Sequence, residues 1–553
     1  MNKSLKKSLL IFALGAVVLS GFLAFKAKND RLFAIAKNID IFATLVRELD
    51  SYYVDEIDPD ELVTIGINAM LEELDPYTTY IPEEDSDDFR LLTTGEYGGI
   101  GALIGNRGEG SMVIMPYTGF PAQMAGLKIA DYILQIDSTR VSGLETTDVS
   151  ELLKGPPNTG LHLKVKRGND TLEFDLIRKK IAIKNVPYYG KLDEHTGYIK
   201  LAEFTTNAST EVRNALVDLK NQGIERLVLD LRDNPGGLVN EAAEIVNLFI
   251  PKGKEVVKTI GKLENVNHTY KTTKTPVDKK IPMVVLLNER SASASEIVAG
   301  TLQDYDRAVL IGRKSFGKGL VQTTVPLTYN AQMKVTTAKY YIPSGRCIQA
   351  IDYLQSRESH ELVTVPDSLR QAFKTKNGRT VLDGAGIEPD LEVDDKSYAP
   401  ISYSLVARNH VFDFATEYFY EHEQIAKPAD FMISDADYEK FVSWLDGKDY
   451  DYTTYLEKSV EDMKKNAEKV EYYDEIKEQI EALEKRVNHS KEQDLVTNKE
   501  EIKRILSEEI VSRYYFQEGM IESGLVEDEA VKMAQDYLSD PDRIKAILTA
   551  STK

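Results

Sequence analysis

Apolar residues recur at helical spacing through AKNIDIFATLVRELDSYY and again through ELVTIGINAMLEELD. The periodicity predicts helices between about residues 30 and 90, ended by DPYTTYIP with Pro76 and Pro82. From about 90 to 180 the pattern shortens. SMVIMPY, DYILQID and LHLKVKR read as short strands, and PAQMAGL as a short helix opened by Pro121 and stopped near Gly126. From about 190, buried-type strands (GYIKLAEF, ERLVLDLR, PMVVLLNE, AVLIG) alternate with helices (ASTEVRNALVDLKNQG, LVNEAAEIVNLFI, ASASEIVAGTLQDY). That alternation predicts an α/β layer with a central sheet, and KVTTAKYYIPSG adds a later strand and turn. Residues 354–383 are polar and irregular. From about 400 the chain is helical and dense in Glu and Lys, with opposite charges three and four apart in EKSVEDMKKNAEKVEYYDEIKEQIEALEKRV. Such spacing marks a solvated helix face, with Ile480, Leu483 and Val487 as a modest packing stripe. A plain helical appendage is the first reading of this tail, and a partner-binding arm the second.

The fold class is therefore α/β and multidomain. A leader spans 1–29, a helical N-terminal region 30–90, a β-rich domain 91–182, an α/β core 183–399 that contains the insertion 354–383, and a helical C-terminal extension 400–553. A length of 553 residues exceeds one hydrophobic core and suits this division. The formal charge of −21 argues against nucleic acid as a partner, whose binding surface is basic. Cys347 is the one cysteine, so no internal disulfide forms, and a structural thiol is its ordinary role. At the N-terminus, Lys3, Lys6 and Lys7 precede Leu9–Phe25, which holds no charge. A basic flank before an apolar run predicts an export signal or a single membrane anchor, and hence a body outside the cytoplasm.

Several standard chemistries are missing from the sequence. HExxH, CxxC and GxSxG do not occur, so a metal site or a histidine-based triad is unsupported. GRKSFGK fits most of a phosphate-gripping loop, but Gly319 stands where the magnesium-binding Ser or Thr belongs. NERSASASEIVAG is a stronger candidate. Ser291, Ser293 and Ser295 alternate with small residues where a buried strand turns into a helix, whose first amides stabilise negative charge. The same serines serve equally as helix caps, with Glu296 assisting, and local pattern does not rank them. DLRDNPGGLVNEA is a second glycine-rich turn, either an oxyanion-binding loop or a tight connection. A serine hydroxyl needs a base, and a lysine kept neutral by burial can supply it. Phe316 and Leu320 are candidates to line Lys318, and Gln322 to bond its amine.

LDPYTTYIP, YGGIGALI, PAQMAGLKIADYILQID, LVLDLRDNPGGL, SASASEIVAG, GRKSFGKGLVQ, YYIPSGRCIQ and GIEPDLEV stand in one order over residues 35–395. Together they resemble the carboxyl-terminal processing, or tail-specific, serine proteases. The resemblance implies a Ser-Lys endopeptidase with Ser293 as nucleophile and Lys318, 25 positions later, as general base. Gln322 then orients the lysine, and oxyanion donors come from the N–H groups of Ala294 and Gly236. The β-rich domain resembles a PDZ domain, with Gly98, Gly99, Ile100 and Gly101 as the loop that holds a substrate's C-terminal carboxylate. The resemblance implies protein tails as partners and no metal or organic cofactor; the N-terminal helices are candidates to join a second copy, and the C-terminal extension to hold an adaptor. With this leader the location expected is the bacterial periplasm, residues 9–25 being either a removed signal or an inner-membrane anchor. A catalytically silent PDZ adaptor or scaffold is the alternative. Phe120 in GFPA, the insertion 354–383 and the long tail depart from the family pattern.

Overall fold

The computed structural model describes residues 31–549 other than 109, 360, 362, 394–397, 471 and 488–490. The apolar run 9–25 lies outside the described residues. Within them, no helix is long and apolar enough to cross a membrane. Two compact units form: one holds the described residues up to Glu83 together with Gln322–Thr336, and the other holds Glu84–Val321 with Thr337 onward.

In the first unit a helix covers 31–52 and a second covers Pro59–Glu72. Asp58 caps the second by accepting from the N–H groups of Asp60 and Glu61, and Pro59 occupies its first turn, where no N–H is needed. The strand Thr79–Ile81 pairs antiparallel with Gln332–Lys334. Apolar side chains of helix 31–52, Phe33 and Ile39 among them, are exposed.

The second unit begins its β-rich part with a sheet ordered Ala102–Arg107, Gly110–Pro116, Tyr132–Ile136, Gly160–Arg167, Asp170–Ile177. Ala122 from helix Pro121–Met124 and Val149 and Leu153 from helix Thr146–Leu153 join Ile133, Leu163 and Val165 in one core.

The central sheet runs Tyr188–Lys191, Thr196–Lys200, Arg226–Asp230, Met283–Leu287, Val309–Gly312, Leu391–Glu392, antiparallel only at its first pairing. Strand order follows chain order. Right-handed crossovers then put every connecting helix on one face. Ala208–Asn221, Val239–Asn247 and Ala294–Asp304 do pack there, against Ile199, Leu227, Leu229, Val285 and Leu310. Residues of opposite parity, Tyr198, Val228, Val284, Leu286, Val309 and Ile311, face the other way and need a separate cover.

The tail provides it, which corrects the reading of the tail as a plain helical appendage. Ala530, Val531, Ala534 and Leu538 of helix Glu529–Ser539, with Ile544 of Pro541–Thr549, close that second face. Earlier tail helices build a core of their own around Phe414, Phe441, Leu506 and Ile510. The charged segment does fold as a helix pair, Tyr455–Lys469 with Tyr473–Val487, around Val460, Ala467 and Ile480. Leu483 stays 40% exposed and is not part of the stripe expected for it. The insertion 354–383 is not irregular throughout, since Ala372–Lys374 and Thr380–Leu382 pair as a hairpin. Leu538 is 1% exposed in the second-face core. Leu538→Ala is expected to cost about 2–5 kcal/mol of stability, read as a lower denaturant midpoint with unchanged slope.

Candidate active site

The wholly buried strand Met283–Leu287 delivers the serine turn, and helix Ala294–Asp304 follows with Ser293 as its cap residue. Tertiary contacts separate the three serines. Ser291 Oγ donates to the Leu231 carbonyl at 2.9 Å and accepts the Asn288 N–H at 3.0 Å. Ser295 Oγ donates to the Asn234 carbonyl at 2.9 Å. Both serines are fully buried and hold the turn together. Ser293 is half-buried, with φ 55° and ψ −111°. That backbone is uncommon for a residue with a side chain and persists only where surrounding bonds enforce it.

Glu296 supplies much of the enforcement. Its carboxylate is fully buried and takes four donors from two loops. Oε2 accepts the Ser293 N–H at 2.8 Å and the Lys318 N–H at 2.9 Å. Oε1 accepts the Gly317 N–H at 2.7 Å and the Ser315 hydroxyl at 2.5 Å. Tyr340 makes a second tie, donating its N–H to the Gly319 carbonyl (3.0 Å) and its hydroxyl to the Ser293 carbonyl (3.1 Å). SASASE marked Glu296 as a capping partner only, because its reach to residues 315–318 is a tertiary contact.

Burial pushes the Glu296 carboxyl up to about 7, although its four donors pull the other way. The folded chain then keeps a proton that the unfolded chain releases between the ordinary carboxyl range and about pH 7. This contribution to stability is full below that range, falls as pH rises through the window, and is level above it, a change of up to about 3 kcal/mol. Gln at 296 does not titrate. The stability of the chain relative to Glu296→Gln is therefore expected to decline with rising pH across the window. Denaturant melts of both proteins at several pH values check it, and a pH-independent difference would count against it.

GRKSFGKG leaves strand Val309–Gly312 and enters strand Leu320–Pro326. A phosphate loop needs a helix at that point, so the nucleotide reading fails on topology as well as on Gly319. Leu320 is buried as a lining residue would be, but Phe316 is 45% exposed, which corrects its place in a dry lining. Lys318 is half-buried. Gln322 belongs to the first unit, where its amide donates to Thr336 Oγ1 at 3.1 Å.

The second turn lies against the first. Asn234 is fully buried: its amide donates to the Leu201 carbonyl at 2.7 Å, and its carbonyl accepts the Ala292 N–H at 3.0 Å. Gly236 has φ +99°, and a Cβ there would sit 2.7 Å from the Ala292 oxygen and 2.8 Å from both Ala294 N and Ser293 Cβ. Only glycine allows this approach. The Gly236 N–H donates to Asn234 Oδ1 at 2.9 Å, so meeting an oxyanion means exchanging that bond. Ala294 opens its helix, where N–H groups have no intrahelical acceptor.

In the β-rich part, Gly98 and Gly99 end the strand Glu96–Gly99, which pairs with Lys179–Ala182. Ile100 and Gly101 turn from it into Ala102–Arg107, and their carbonyls accept the N–H groups of Ala122 and Tyr117. Ala102–Arg107 is the edge strand of its sheet, and helix Thr146–Leu153 packs beside it. An edge strand next to a helix is the geometry that takes an extended peptide as an added strand.

Peptidase family S41 matches residues 195–354, a PDZ domain matches 115–167, and the C-terminal helical domain of a probable PDZ-protease matches 401–538. A carboxy-terminal-processing protease of Bartonella bacilliformis is 36% identical over 321 residues, 57% of this chain and 73% of the relative. A probable CtpA-like serine protease of Staphylococcus aureus is 32% identical over 389 residues, 69% of this chain and 74% of the relative. A solved photosystem II D1 C-terminal processing protease is 27% identical over 64% of this chain and 92% of its own, with a TM-score of 0.34. On these matches the chain belongs to the PDZ-containing carboxy-terminal-processing serine proteases and is a serine-type endopeptidase of that family.

Proposed function

We propose that Ser293 and Lys318 form the catalytic pair. Neutral Lys318 takes the Ser293 proton, and the Ser293 oxygen attacks the peptide carbonyl. The N–H groups of Ala294 and Gly236 then hold the oxyanion. The lysine gives its proton to the leaving amine, and water releases the acyl-enzyme. Gln322 orients the lysine amine, a role assigned by the resemblance of GRKSFGKGLVQ. One observation carries the pairing. A single oxygen of Glu296 accepts both the Ser293 and the Lys318 backbone N–H, so residues 25 apart in sequence lie two hydrogen bonds apart in space.

Substrates enter by their C-terminal tails. The tail lies along Ala102–Arg107, and its carboxylate sits on the backbone of Gly98, Gly99, Ile100 and Gly101. The enzyme works outside the cytoplasm, in the periplasm, held at the inner membrane by residues 9–25. Exposed apolar side chains on helix 31–52 offer a surface for a second copy. The test is incubation with an unfolded protein carrying an apolar C-terminal tail, beside the same protein with that tail replaced by charged residues. Faster cleavage of the first by the intact chain is expected, and none by Ser293→Ala or Lys318→Ala. Normal cleavage by either variant would sink the pair.

A further inference from the structure

The turn that carries Gly236 is bonded to the serine turn, and the residue just before it, Arg232, is bonded to the C-terminal helical region. Toward the serines it is held by Asn288 and Ser295. Asp233 N–H donates to Asn288 Oδ1 at 3.0 Å, and the Asn288 amide returns a bond to Asp233 Oδ1 at 2.8 Å. Arg232 immediately precedes the turn, which departs at Asp233 with φ 64°.

Arg232 is held through its N–H, its carbonyl and its guanidinium. Its N–H donates to Asp230 Oδ1 at 2.8 Å, and its carbonyl accepts Lys200 Nζ at 2.9 Å. Its guanidinium pairs with Asp230, with Nη2 at 2.7 Å from Oδ2. The same Nη2 lies 2.7 Å from Asp528 Oδ2. Asp230 is fully buried and also accepts the Tyr198 hydroxyl at 2.6 Å. Burial alone would raise its carboxyl, yet Arg232 and Lys200 hold it well below the usual range.

Asp528 does two things with one carboxylate. Oδ1 caps helix Glu529–Ser539 by accepting the N–H groups of Ala530 (2.9 Å) and Val531 (3.0 Å). Oδ2 takes Arg232. That helix is the one pressed onto the second face of the sheet through Ala530, Val531, Ala534 and Leu538. Cap, packing and ion pair therefore fix where Oδ2 stands, and the side chain it meets is two residues from Asn234, the residue whose Oδ1 holds the Gly236 N–H.

We infer that Asp528, supplied by the C-terminal helical region, is a positioning residue for the reaction: through Arg232 it holds the Asp233–Gly237 turn against the serine turn. The inference rests on the reading of that turn as the oxyanion loop. It gives the tail a part in catalysis as well as in covering the sheet.

Asp528→Asn and Asp528→Ser test it, because Asn and Ser cap helices about as well as Asp but carry no charge for Arg232. Both variants are expected to keep the thermal midpoint near that of the unaltered chain. KM for a tailed protein substrate should hold, while kcat falls about tenfold, the signature of a contact that acts in the transition state. Unchanged kcat in both would overturn the inference. So would a fall in kcat matched by a lowered thermal midpoint, which denotes structure alone. Ser293→Ala is run beside them. If it is inactive while the Asp528 variants match the unaltered chain, the positioning role fails alone. If it cleaves normally, the assignment of the site fails first.

Discussion

Ser293→Ala and Lys318→Ala are each expected to lower kcat for peptide cleavage by at least about 10³-fold, with the double variant no worse than either alone. The reason is chemical. An alcohol attacks an amide at a useful rate only as its proton leaves, so removing the oxygen or the base removes the same step. Losses that belong to one step do not add, and this non-additivity separates a catalytic pair from two independent structural residues. Lys318→Arg should behave like the alanine variant, since a guanidinium stays protonated and accepts nothing. Active-site variants of this kind are expected to retain KM for tailed substrates, because the tail is held by a different part of the chain. Single-turnover cleavage at saturating substrate provides the measurement. Additive losses, or an active arginine variant, would remove Lys318 from the role of base.

Gly236→Ala is expected to produce the second large effect. A methyl group at this position meets the Ala292 oxygen at 2.7 Å and Ala294 N and Ser293 Cβ at 2.8 Å. All three belong to the turn that presents Ser293, and none is the free end of a flexible side chain. The serine turn has to move, and misplacement by about 1 Å costs about 100-fold in rate. The left-handed φ of +99° adds about 1–2 kcal/mol of backbone strain. Gly223 gives the control. Its φ is +87°, but nothing lies within 4 Å of the Cβ it would gain. Gly223→Ala is therefore expected to lose only the stability set by the strained φ and keep its activity, whereas Gly236→Ala loses activity and more stability. Equal activity in the two variants would show that the close approach of the turns is not needed for cleavage.

Hydrophobic period and turn residues determined a great deal unaided. The switch from period two to strand-helix alternation near residue 190 gave the β-rich part and the central sheet, because which faces are buried is written in the spacing of apolar residues. The order of the long motifs gave the family, and with it an expected role for each of Ser293, Lys318, Gln322, Ala294 and Gly236. Contacts between distant segments were not legible. SASAS offers three equivalent serines along the chain, and only bonds to Leu231, Asn288 and Asn234 mark Ser291 and Ser295 as struts. Glu296 looks like a cap in its own helix and becomes the joint between two loops when residues 315–318 fold onto it. The tail looks solvated because charge pairs dominate its middle, while the residues that close the sheet sit in two short helices near its end. The need for such a cover follows from strand order, and strand order is a property of the assembled sheet. Local pattern decides which residues seek burial; the fold alone decides what buries them.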